Sequence, residues 1–417
     1  MNARLQLDDT QTMGEARGLR ILWVKIGGLW PTNTGGRIRS FQIISELSRR
    51  HRVTVLTTHL PGENWDELKR QLSRCVRVDS FPAAAPKVSS ARFLWALIRS
   101  WFSRLPVDLW KSQVPALKTE VSQLLEQDKF DICIADFLVA VPNVPLQGPV
   151  PIIYFSHNVE YMIWKRLCQN EANPVRRLLL SIEWRKLKRY EELVCRQTHQ
   201  TLAVSPEDCD MLVANVPGAN CFAIPTGVDI EYFKPTGKRE NPAELVFTGS
   251  MDWHPNEDAI IYFMESILPL IRRVCPEVSL TVVGRNPSLR LSKQAFKSKV
   301  SVTGTVSDIR PFVAMAAVYI VPLRIGGGTR IKIFEALAMG KAVVSTTIGA
   351  EGLPLEHDKH FVCADDPVDF ARAVVALLKD PERRGNIGAT GRELVADKYS
   401  WAQVSHEFER GFQQVHN

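Results

Sequence analysis

The sequence lacks a long hydrophobic run and lacks any cysteine pair spaced for metal binding. No apolar stretch in the 417 residues approaches the roughly 18 residues that a membrane-spanning helix needs. Residues 1–18 are polar and have no apolar core, so we predict a disordered tail and not a secretory signal. The eight cysteines include no Cys-x-x-Cys pair, which disfavours a zinc site and a disulfide framework. Free thiols in a reducing cytoplasm are therefore expected.

Acidic residues are outnumbered by basic ones. The chain has 52 Lys and Arg against 45 Asp and Glu, a formal net charge of +7 that indicates an anionic partner. No nucleic-acid-binding motif accompanies this charge. Sugar nucleotides and anionic lipid surfaces are thus better candidates than nucleic acid. A chain of this length usually forms two domains.

The G-x-G-x-x-G dinucleotide fingerprint is also missing, yet two glycine-rich segments follow predicted strands. The first holds Gly35 and Gly36, after the predicted strand Arg20–Ile26 and before a helix that starts at Arg37. The second, residues 326–330, lies between the predicted strand Val318–Val321 and a helix from about residue 332 to 339. Strand, glycine loop and helix N-terminus form a common phosphate-binding arrangement. The alternatives are a plain βα turn for the first segment and a glycine-rich turn in an unrelated α/β protein for the second.

Charged side chains surround the second glycine segment. Arg330 and Lys332 provide cations for a diphosphate leaving group. Glu335, one turn into the predicted helix, could accept hydrogen bonds from a vicinal diol such as a ribose. Gly249, which follows the predicted strand Glu244–Thr248, would allow a diphosphate to approach the backbone closely.

These residues resemble the C-terminal signature of the family-four retaining glycosyltransferases, which have the GT-B fold. The signature is a Glu, seven residues and a second Glu. Glu335 matches the second, the ribose binder of the family, whereas the first falls at Gly327. The carboxylate that the family directs at the transferred sugar is thus missing, and what replaces it stays open. The resemblance further implies that Gly327, Gly328 and Thr329 bind the donor and that the backbone near Val306 holds the nucleobase edge.

The first half carries a histidine that, like the two glycine segments, follows a predicted strand. His157 comes just after the predicted strand Pro151–Phe155, at the strand end where doubly wound sheets bind ligands. The run His-Asn-x-Glu resembles the N-domain histidine of the family, which faces the transferred sugar. A structural histidine is the alternative. In the family, a glycine pair such as Gly35 and Gly36 approaches the donor phosphate and borders the acceptor pocket.

The domain boundaries follow from a third motif. Pro225–Pro235 resembles the family's entry into the second domain, P-x-G-V-D-x-x-x-F-x-P. We therefore expect an α/β protein of GT-B fold, with two doubly wound Rossmann-like domains facing a cleft. Residues 19–223 would form the acceptor-side domain and residues 224–398 the nucleotide-sugar domain. A helix within residues 399–417 would cross back to the first domain.

Two basic segments in the first half suggest a membrane surface. Arg92–Leu105 has three arginines, two tryptophans and no acid, which is typical of an interfacial helix. Trp164–Arg196 has nine basic and four acidic residues and predicts a long basic helical region. Packing on the sheet and a solvated face are the respective alternatives. We expect a cytoplasmic enzyme that docks reversibly on the inner leaflet.

The predicted activity is transfer of a sugar from a nucleotide diphosphate sugar to a saccharide or lipid-linked acceptor. The resemblance implies a retaining, hexosyltransferase-like reaction, with His157, Arg330 and Lys332 in catalytic roles. No metal and no cofactor are expected, since Asp131 and Asp136 flank a predicted strand and do not form a ligand pair. A GT-B-fold nucleotide-sugar epimerase and a non-catalytic sugar-nucleotide-binding subunit are the alternatives. The sugar, the base and the acceptor cannot be read from the sequence.

Overall fold

The computed structural model describes residues 18–32, 34–83, 103, 105–127, 130–171, 173–237, 239–325 and 331–413. Most of the predicted interfacial helix Arg92–Leu105 and the whole glycine segment 326–330 lie outside these residues. The predictions for them therefore stay predictions.

The first sheet has seven parallel strands in the order β3-β2-β1-β4-β5-β6-β7. The strands are β1 Arg20–Lys25, β2 Arg52–His59, β3 Arg77–Pro82, β4 Ile132–Asp136, β5 Ile152–Phe155, β6 Gln200–Ala203 and β7 Cys221–Ala223. Ile21 and Trp23 enter the core on one face, and Leu22 and Val24 enter the core on the other. Because helices cover both faces, these strands appear in the sequence as continuous apolar runs.

The second sheet has six parallel strands in the order β10-β9-β8-β11-β12-β13. They are β8 Asn241–Thr248, β9 Ser279–Val283, β10 Ser301–Val302, β11 Ala316–Val321, β12 Ala342–Ser345 and β13 Val362–Cys363. The prediction of two doubly wound sheets is confirmed. The strand order reverses between β1 and β4 in the first sheet and between β8 and β11 in the second. Such reversals are the places where open α/β sheets bind their ligands.

The described helices cover the faces of both sheets. In the first half they are α1 Gly35–Leu47, α2 Trp65–Gln71, α3 Val107–Lys111, α4 Pro115–Gln127, α5 Glu160–Asn170, α6 Pro174–Gln197 and α7 Pro206–Asn215. In the second half they are α8 His254–Tyr262, α9 Leu268–Val274, α10 Leu289–Lys297, α11 Arg310–Met315, α12 Ile331–Ala338, α13 Pro367–Lys379 and α14 Pro381–Lys398. A π-helical turn, Phe263–Ile267, joins α8 to α9. A 3₁₀-helix, Leu138–Asn143, follows β4. No helix within the described ranges is both long and apolar enough to span a membrane.

The last helix, α15 (Trp401–Gln413), packs on the first sheet. Phe408 stacks on Trp23 of β1, with ring centroids 5.6 Å apart. Just before α15, the backbone amide of Val228 donates to the carbonyl oxygen of Tyr399 at 2.8 Å. The chain therefore passes between the two sheets at two adjacent places. The predicted boundary at residue 224 falls between the end of β7 and the start of β8.

One expectation about cysteine is wrong. Cys209 on α7 and Cys221 on β7 form a disulfide, with an S–S distance of 2.08 Å. The two residues are 12 apart in the sequence, so the spacing alone carried no signal. They meet because β7 folds back against α7, which brings their Cα atoms to 5.6 Å. The other six cysteines are free thiols, as expected.

Candidate active site

The two helices that follow the predicted glycine segments begin next to each other. Gly35 and Gly36 are the first residues of α1 and not a loop before it, because the Thr34 hydroxyl accepts from the amide of Arg37 and caps the helix. A Cβ atom built on Gly35 would lie 3.5 Å from Cδ1 of Ile331, the first residue of α12. The N-termini of one helix from each half thus converge. Helix N-termini attract anions, so this point suits a phosphate.

Gly36 allows an aromatic ring to approach the start of α1. A Cβ atom on Gly36 would come within 2.6 Å of Cζ of Phe137. Phe137 follows β4 with φ of +71°, a backbone conformation that non-glycine residues rarely adopt. Gly36 thus provides space for the Phe137 ring, and the strain lies in the backbone of Phe137 at the end of the strand.

Lys332 is placed by contacts from β8 and α8. Its Nζ donates to Oδ1 of Asn256 at 2.8 Å and lies 4.3 Å from the centre of the Phe247 ring. The Asn256 amide nitrogen donates in turn to the carbonyl oxygen of Ser250 at 2.9 Å. A Cβ atom on Gly249 would lie 2.8 Å from the Lys332 ammonium nitrogen and 2.8 Å from the Asn256 amide nitrogen, so a larger residue there would displace this pair. Lys332 and Gly249 are therefore neighbours at the end of β8, as a diphosphate site requires.

Glu335 lies one turn into α12 and is half-buried. Burial raises the pKa of its carboxyl to about 7, and the positive charge of Lys332 opposes this shift. Within the described part of the chain, no group donates a hydrogen bond to this carboxylate. A poorly solvated carboxylate without donors is suited to accept hydrogen bonds from ligand hydroxyl groups.

Val306 lies in the loop after β10 and is half-buried against the core. Asp308 and Arg310 fix the end of this loop, with Nη2 of Arg310 2.8 Å from Oδ2 of Asp308. The Arg310 guanidinium also lies over the ring of Tyr232, 3.7 Å from its centre, and Nη1 donates to the Tyr232 carbonyl oxygen at 3.2 Å. The loop predicted to contact the nucleobase is therefore attached to the segment that joins the two sheets.

His157, after β5, belongs to a buried network. Its Nε2 is 2.8 Å from Oδ1 of Asp136, the last residue of β4, and its Nδ1 is 3.3 Å from Nη1 of Arg39. The ring stacks on Phe137 at 3.7 Å. Burial lowers the pKa of His157 to about 3, so the imidazole is neutral at physiological pH. A neutral ring that accepts from Arg39 at Nδ1 must donate from Nε2 to Asp136.

Two buried cations share Asp136 as their anion. Nζ of Lys25 lies 3.3 Å from Oδ2 of Asp136, which also accepts from the indole nitrogen of Trp23 at 2.9 Å. Although burial works to raise the pKa of Asp136, the charge of Lys25 and the hydrogen bond from His157 hold it well below its ordinary value. Burial lowers the pKa of Lys25 and lowers the pKa of Arg39 to about 10. Arg39 stays charged at neutral pH nonetheless.

Arg39 also connects this network to the segment between the sheets. Its Nη2 donates to Oγ1 of Thr226 at 2.6 Å, whereas its buried Nε has no hydrogen-bond partner among the described residues. Thr226 lies within the motif Pro225–Pro235. Movement of the linker would therefore be transmitted to the ring of His157 through one guanidinium.

The structure brings together most of the predicted site residues that it describes. Gly35, Gly249 and Lys332 border the region where α1 and α12 meet, with Glu335 one turn further along α12. Four predicted residues lie outside the described ranges: Gly327, Gly328, Thr329 and Arg330. Sequence reasoning missed Arg39 and Asn256, and it rejected Asp136 as a metal ligand without giving it another role. The position of Asp136 at the carboxyl end of a strand was a signal that could have identified it.

Two doubly wound sheets, with helix N-termini and a lysine converging between them, form an α/β protein with an anion-binding point between its halves. The model of the family described as "Glycosyltransferase Family 4" matches residues 34–232. The model described as "Glycosyl transferases group 1" matches residues 242–380. The chain belongs to the family-four glycosyltransferases and has their GT-B fold. The predicted family, fold and sugar-transferring activity are confirmed.

Similar proteins come from bacteria. An uncharacterized 44.6 kDa protein in the cps region of Klebsiella pneumoniae is 22% identical over 411 residues, which cover 95% of this chain and 98% of that protein. The phosphatidyl-myo-inositol mannosyltransferase of Mycolicibacterium smegmatis is 28% identical over 208 residues, or 48% of this chain. The match covers 53% of that enzyme, so this chain spans about half of its length. Anabaena HepE in complex with UDP and glucose has the same fold, with a TM-score of 0.64 and 13% identity over 95% of this chain and 99% of HepE.

Proposed function

We propose that the chain transfers a sugar, with retention of anomeric configuration, from a nucleotide diphosphate sugar to a lipid-linked saccharide. The observation that carries this proposal is the convergence of the α1 and α12 N-termini beside Lys332 and Gly249. Two helix ends and a fixed ammonium group create a strongly anion-binding point between the halves. A departing diphosphate is the anion that this reaction class produces there.

The donor would extend along the second sheet. Its diphosphate would bind at Gly249, Lys332 and the N-terminus of α12, together with Arg330 and the amides of the glycine segment. The ribose diol would donate to Glu335, whose carboxylate accepts no other hydrogen bond within the described residues. The base would contact the loop around Val306. The complex of HepE with UDP and glucose supports a nucleotide sugar as donor without identifying the base here.

The reaction needs no protein base. When the bond between the anomeric carbon and the phosphate oxygen breaks, its electron pair leaves with the diphosphate, which Lys332 and Arg330 stabilise. The acceptor hydroxyl oxygen then forms its bond to the anomeric carbon on the same face. Its proton passes to the departing phosphate oxygen. Because these cations neutralise the diphosphate, we propose that neither a metal nor a cofactor takes part.

For His157 we propose a positioning role in place of direct contact with the sugar. Both of its ring nitrogens already have protein partners, Asp136 and Arg39. The network would set the shape of the cleft on the acceptor side, where Gly35 and Gly36 start α1.

The acceptor would be presented at an anionic membrane surface, on the inner leaflet. The α5–α6 hairpin supports this step because its apolar side chains are exposed beside its arginines: Ile163, Leu167, Val175, Leu178 and Ile182. Glu183 and Glu191 of α6 are turned inward and buried, so the outer face is more basic than the sequence count indicates. The lipid named for the Mycolicibacterium mannosyltransferase and the cps region named for the Klebsiella protein agree with a lipid-linked acceptor in envelope or polysaccharide assembly.

The test is nucleotide diphosphate release from a panel of UDP-, GDP- and ADP-sugars, with and without a lipid-linked saccharide extract. Acceptor-dependent release from one donor, with an α-linked product from an α-configured donor, is the expected result. Turnover of donor to an isomer without acceptor would indicate an epimerase. Donor binding without any release would indicate a non-catalytic subunit. Activity lost with EDTA and restored by Mg²⁺ or Mn²⁺ would contradict metal independence.

A further inference from the structure

Helix α10, Leu289–Lys297, presents two apolar side chains to solvent. Leu289 is 81% exposed and Phe296 is 87% exposed, the two highest values among the large apolar side chains of the described residues. The inner face of the same helix is well packed, since Leu291 and Ala295 are buried in the core of the second sheet. The exposure of Leu289 and Phe296 is therefore not a sign of a poorly packed helix.

The two exposed side chains share one face of the helix. They are seven residues apart, which is close to two helical turns. Lys293 lies between them, and Arg290 and Lys297 follow them directly in the sequence. With Lys299, the segment 289–299 holds four exposed cations and no acidic residue. None of these four cations has an ion-pair partner within the described ranges.

We propose that α10 is a membrane-contact helix, through which the second half of the enzyme binds an anionic lipid surface. Leu289 and Phe296 would enter the boundary between headgroups and acyl chains, and the four cations would lie among the lipid phosphates. Long lysine and arginine side chains can place their charges in the headgroup layer while an adjacent apolar side chain goes deeper.

Charge and area favour a bilayer over a protein partner. Two apolar side chains cannot provide the ~800 Å² per partner of a standard protein–protein interface. An anionic bilayer, by contrast, offers countercharge to every cation without needing a complementary shape. Glu265, in the π-helical turn, lines the same pocket as Leu289, Arg290 and Lys293, so one acidic side chain borders the contact.

None of the α10 side chains that carry this proposal belongs to the candidate active site, and their assignment does not depend on the identity of donor or acceptor. The α10 surface would be a second membrane contact, besides that of the α5–α6 hairpin in the first half. Two weak contacts on one molecule strengthen each other when both reach the same bilayer at once, since the second contact then forms at high effective concentration.

The experiment measures binding of the full-length protein to vesicles with neutral lipid alone or with added anionic lipid, at low and physiological salt. The variant Leu289→Ser/Phe296→Ser should reduce binding to anionic vesicles at least tenfold. Its matched control is Val368→Ser, because Val368 is 53% exposed but lies in the first turn of α13 beside Asp366 and Asp369. The control should bind as the parent does.

Two further variants show which part of the protein contacts the lipid. Phe296→Trp should show added fluorescence, relative to the parent, that brominated lipid quenches. Leu178→Ser/Ile182→Ser tests the α5–α6 hairpin separately, so failure of one surface is distinguishable from failure of the other. Parent-like binding of the α10 double variant would overturn the proposal, as would bound protein in which the emission of the introduced tryptophan is not quenched. A dimer in sedimentation that only the α10 double variant abolishes, with vesicle binding unchanged, would assign the surface to a second copy.

Discussion

At the ends of β1, β4 and β5, the first half of the cleft holds Lys25, Asp136 and His157 in a network with Arg39. The second half, at the end of β8 and the start of α12, holds Lys332 beside Gly249 and leaves the carboxylate of Glu335 without a hydrogen bond from any described residue. The same kind of sheet thus supports two opposite arrangements of charge. A network with internal partners is suited to hold a shape, whereas a carboxylate without donors is suited to bind a ligand.

The largest effect is expected on stability, from breaking the network in the first half. Asp136→Asn leaves Lys25 and Arg39 without their buried anion. Removing one partner from a buried charge pair typically costs about 3–5 kcal/mol. Denaturant unfolding should show a loss of this size. The carboxyl pKa of Asp136 is held low, so its contribution is present above the ordinary carboxyl pKa and is lost as the pH falls.

Asp131 provides the matched control, because it stands at the other end of the same strand. Its pair with Arg20 is partly exposed, with side-chain exposures of 25% for Asp131 and 40% for Arg20. Exposed pairs are worth up to about 1 kcal/mol, so Asp131→Asn should cost no more than that. Equal costs for the two substitutions would contradict the view of Asp136 as the central anion.

The next effect is expected on catalysis, from the second half. Lys332→Met keeps the packing on Phe247 but removes the ammonium group from the diphosphate. Loss of one preorganised electrostatic contact costs about 10²–10³-fold in turnover. Steady-state nucleotide release should fall by this factor, with the free energy of unfolding little changed. Lys379→Met is the control, because Lys379 is exposed at the C-terminal end of α13. Parent-like turnover of the Lys332 variant would place the diphosphate elsewhere.

The sequence predicted the second half better than the first, for a physical reason. Gly249, Lys332 and Glu335 owe their positions to short-range order, because strand, loop and helix N-terminus follow one another in the chain. Arg39 is different: an amphipathic helix predicts that its arginines face solvent. Its buried guanidinium contacts His157 and Thr226, which are 118 and 187 residues away in the chain. No local pattern reports such a contact.

One local signal was incomplete and another was misread. The predicted basic region Trp164–Arg196 is helical, but it forms two helices, because Asn173 accepts from the amides of Val175 and Arg176 and starts a new helix at Pro174. The glycine pair Gly35 and Gly36 was expected in a loop, since glycine is a poor helix former. In the first turn of a helix that cost is small, because Thr34 already caps the end.

A smaller effect is expected on donor binding. Glu335→Gln retains the shape of the side chain but removes the charge that the ribose hydroxyls would meet. A hydrogen bond to a charged group contributes about 1.5–3 kcal/mol, so the donor dissociation constant should rise about 10–150-fold. Calorimetric titration with the nucleotide diphosphate measures this change. Glu393→Gln, on α14 and away from the cleft, should bind as the parent does. Unchanged affinity in the Glu335 variant would remove this residue from the site.

The smallest effect is the change of donor affinity with pH. It distinguishes the two halves most directly, because it depends on Glu335 in the second half and not on His157 in the first. The carboxyl of Glu335 has a pKa of about 7 without ligand because burial disfavours its charge. Hydroxyl donors from a ribose stabilise the ionised form, so donor binding should lower this pKa and release protons near and below pH 7. Affinity should therefore rise as the pH increases from about 6 to 8 and then level off. His157, with a pKa of about 3, does not titrate in this range.

Calorimetry in two buffers of different ionisation enthalpy measures the protons released on donor binding. Glu335→Gln should abolish the release, and Asp131→Asn should preserve it. Proton uptake by the parent would mean that the bound diphosphate, and not the diol, dominates the environment of Glu335.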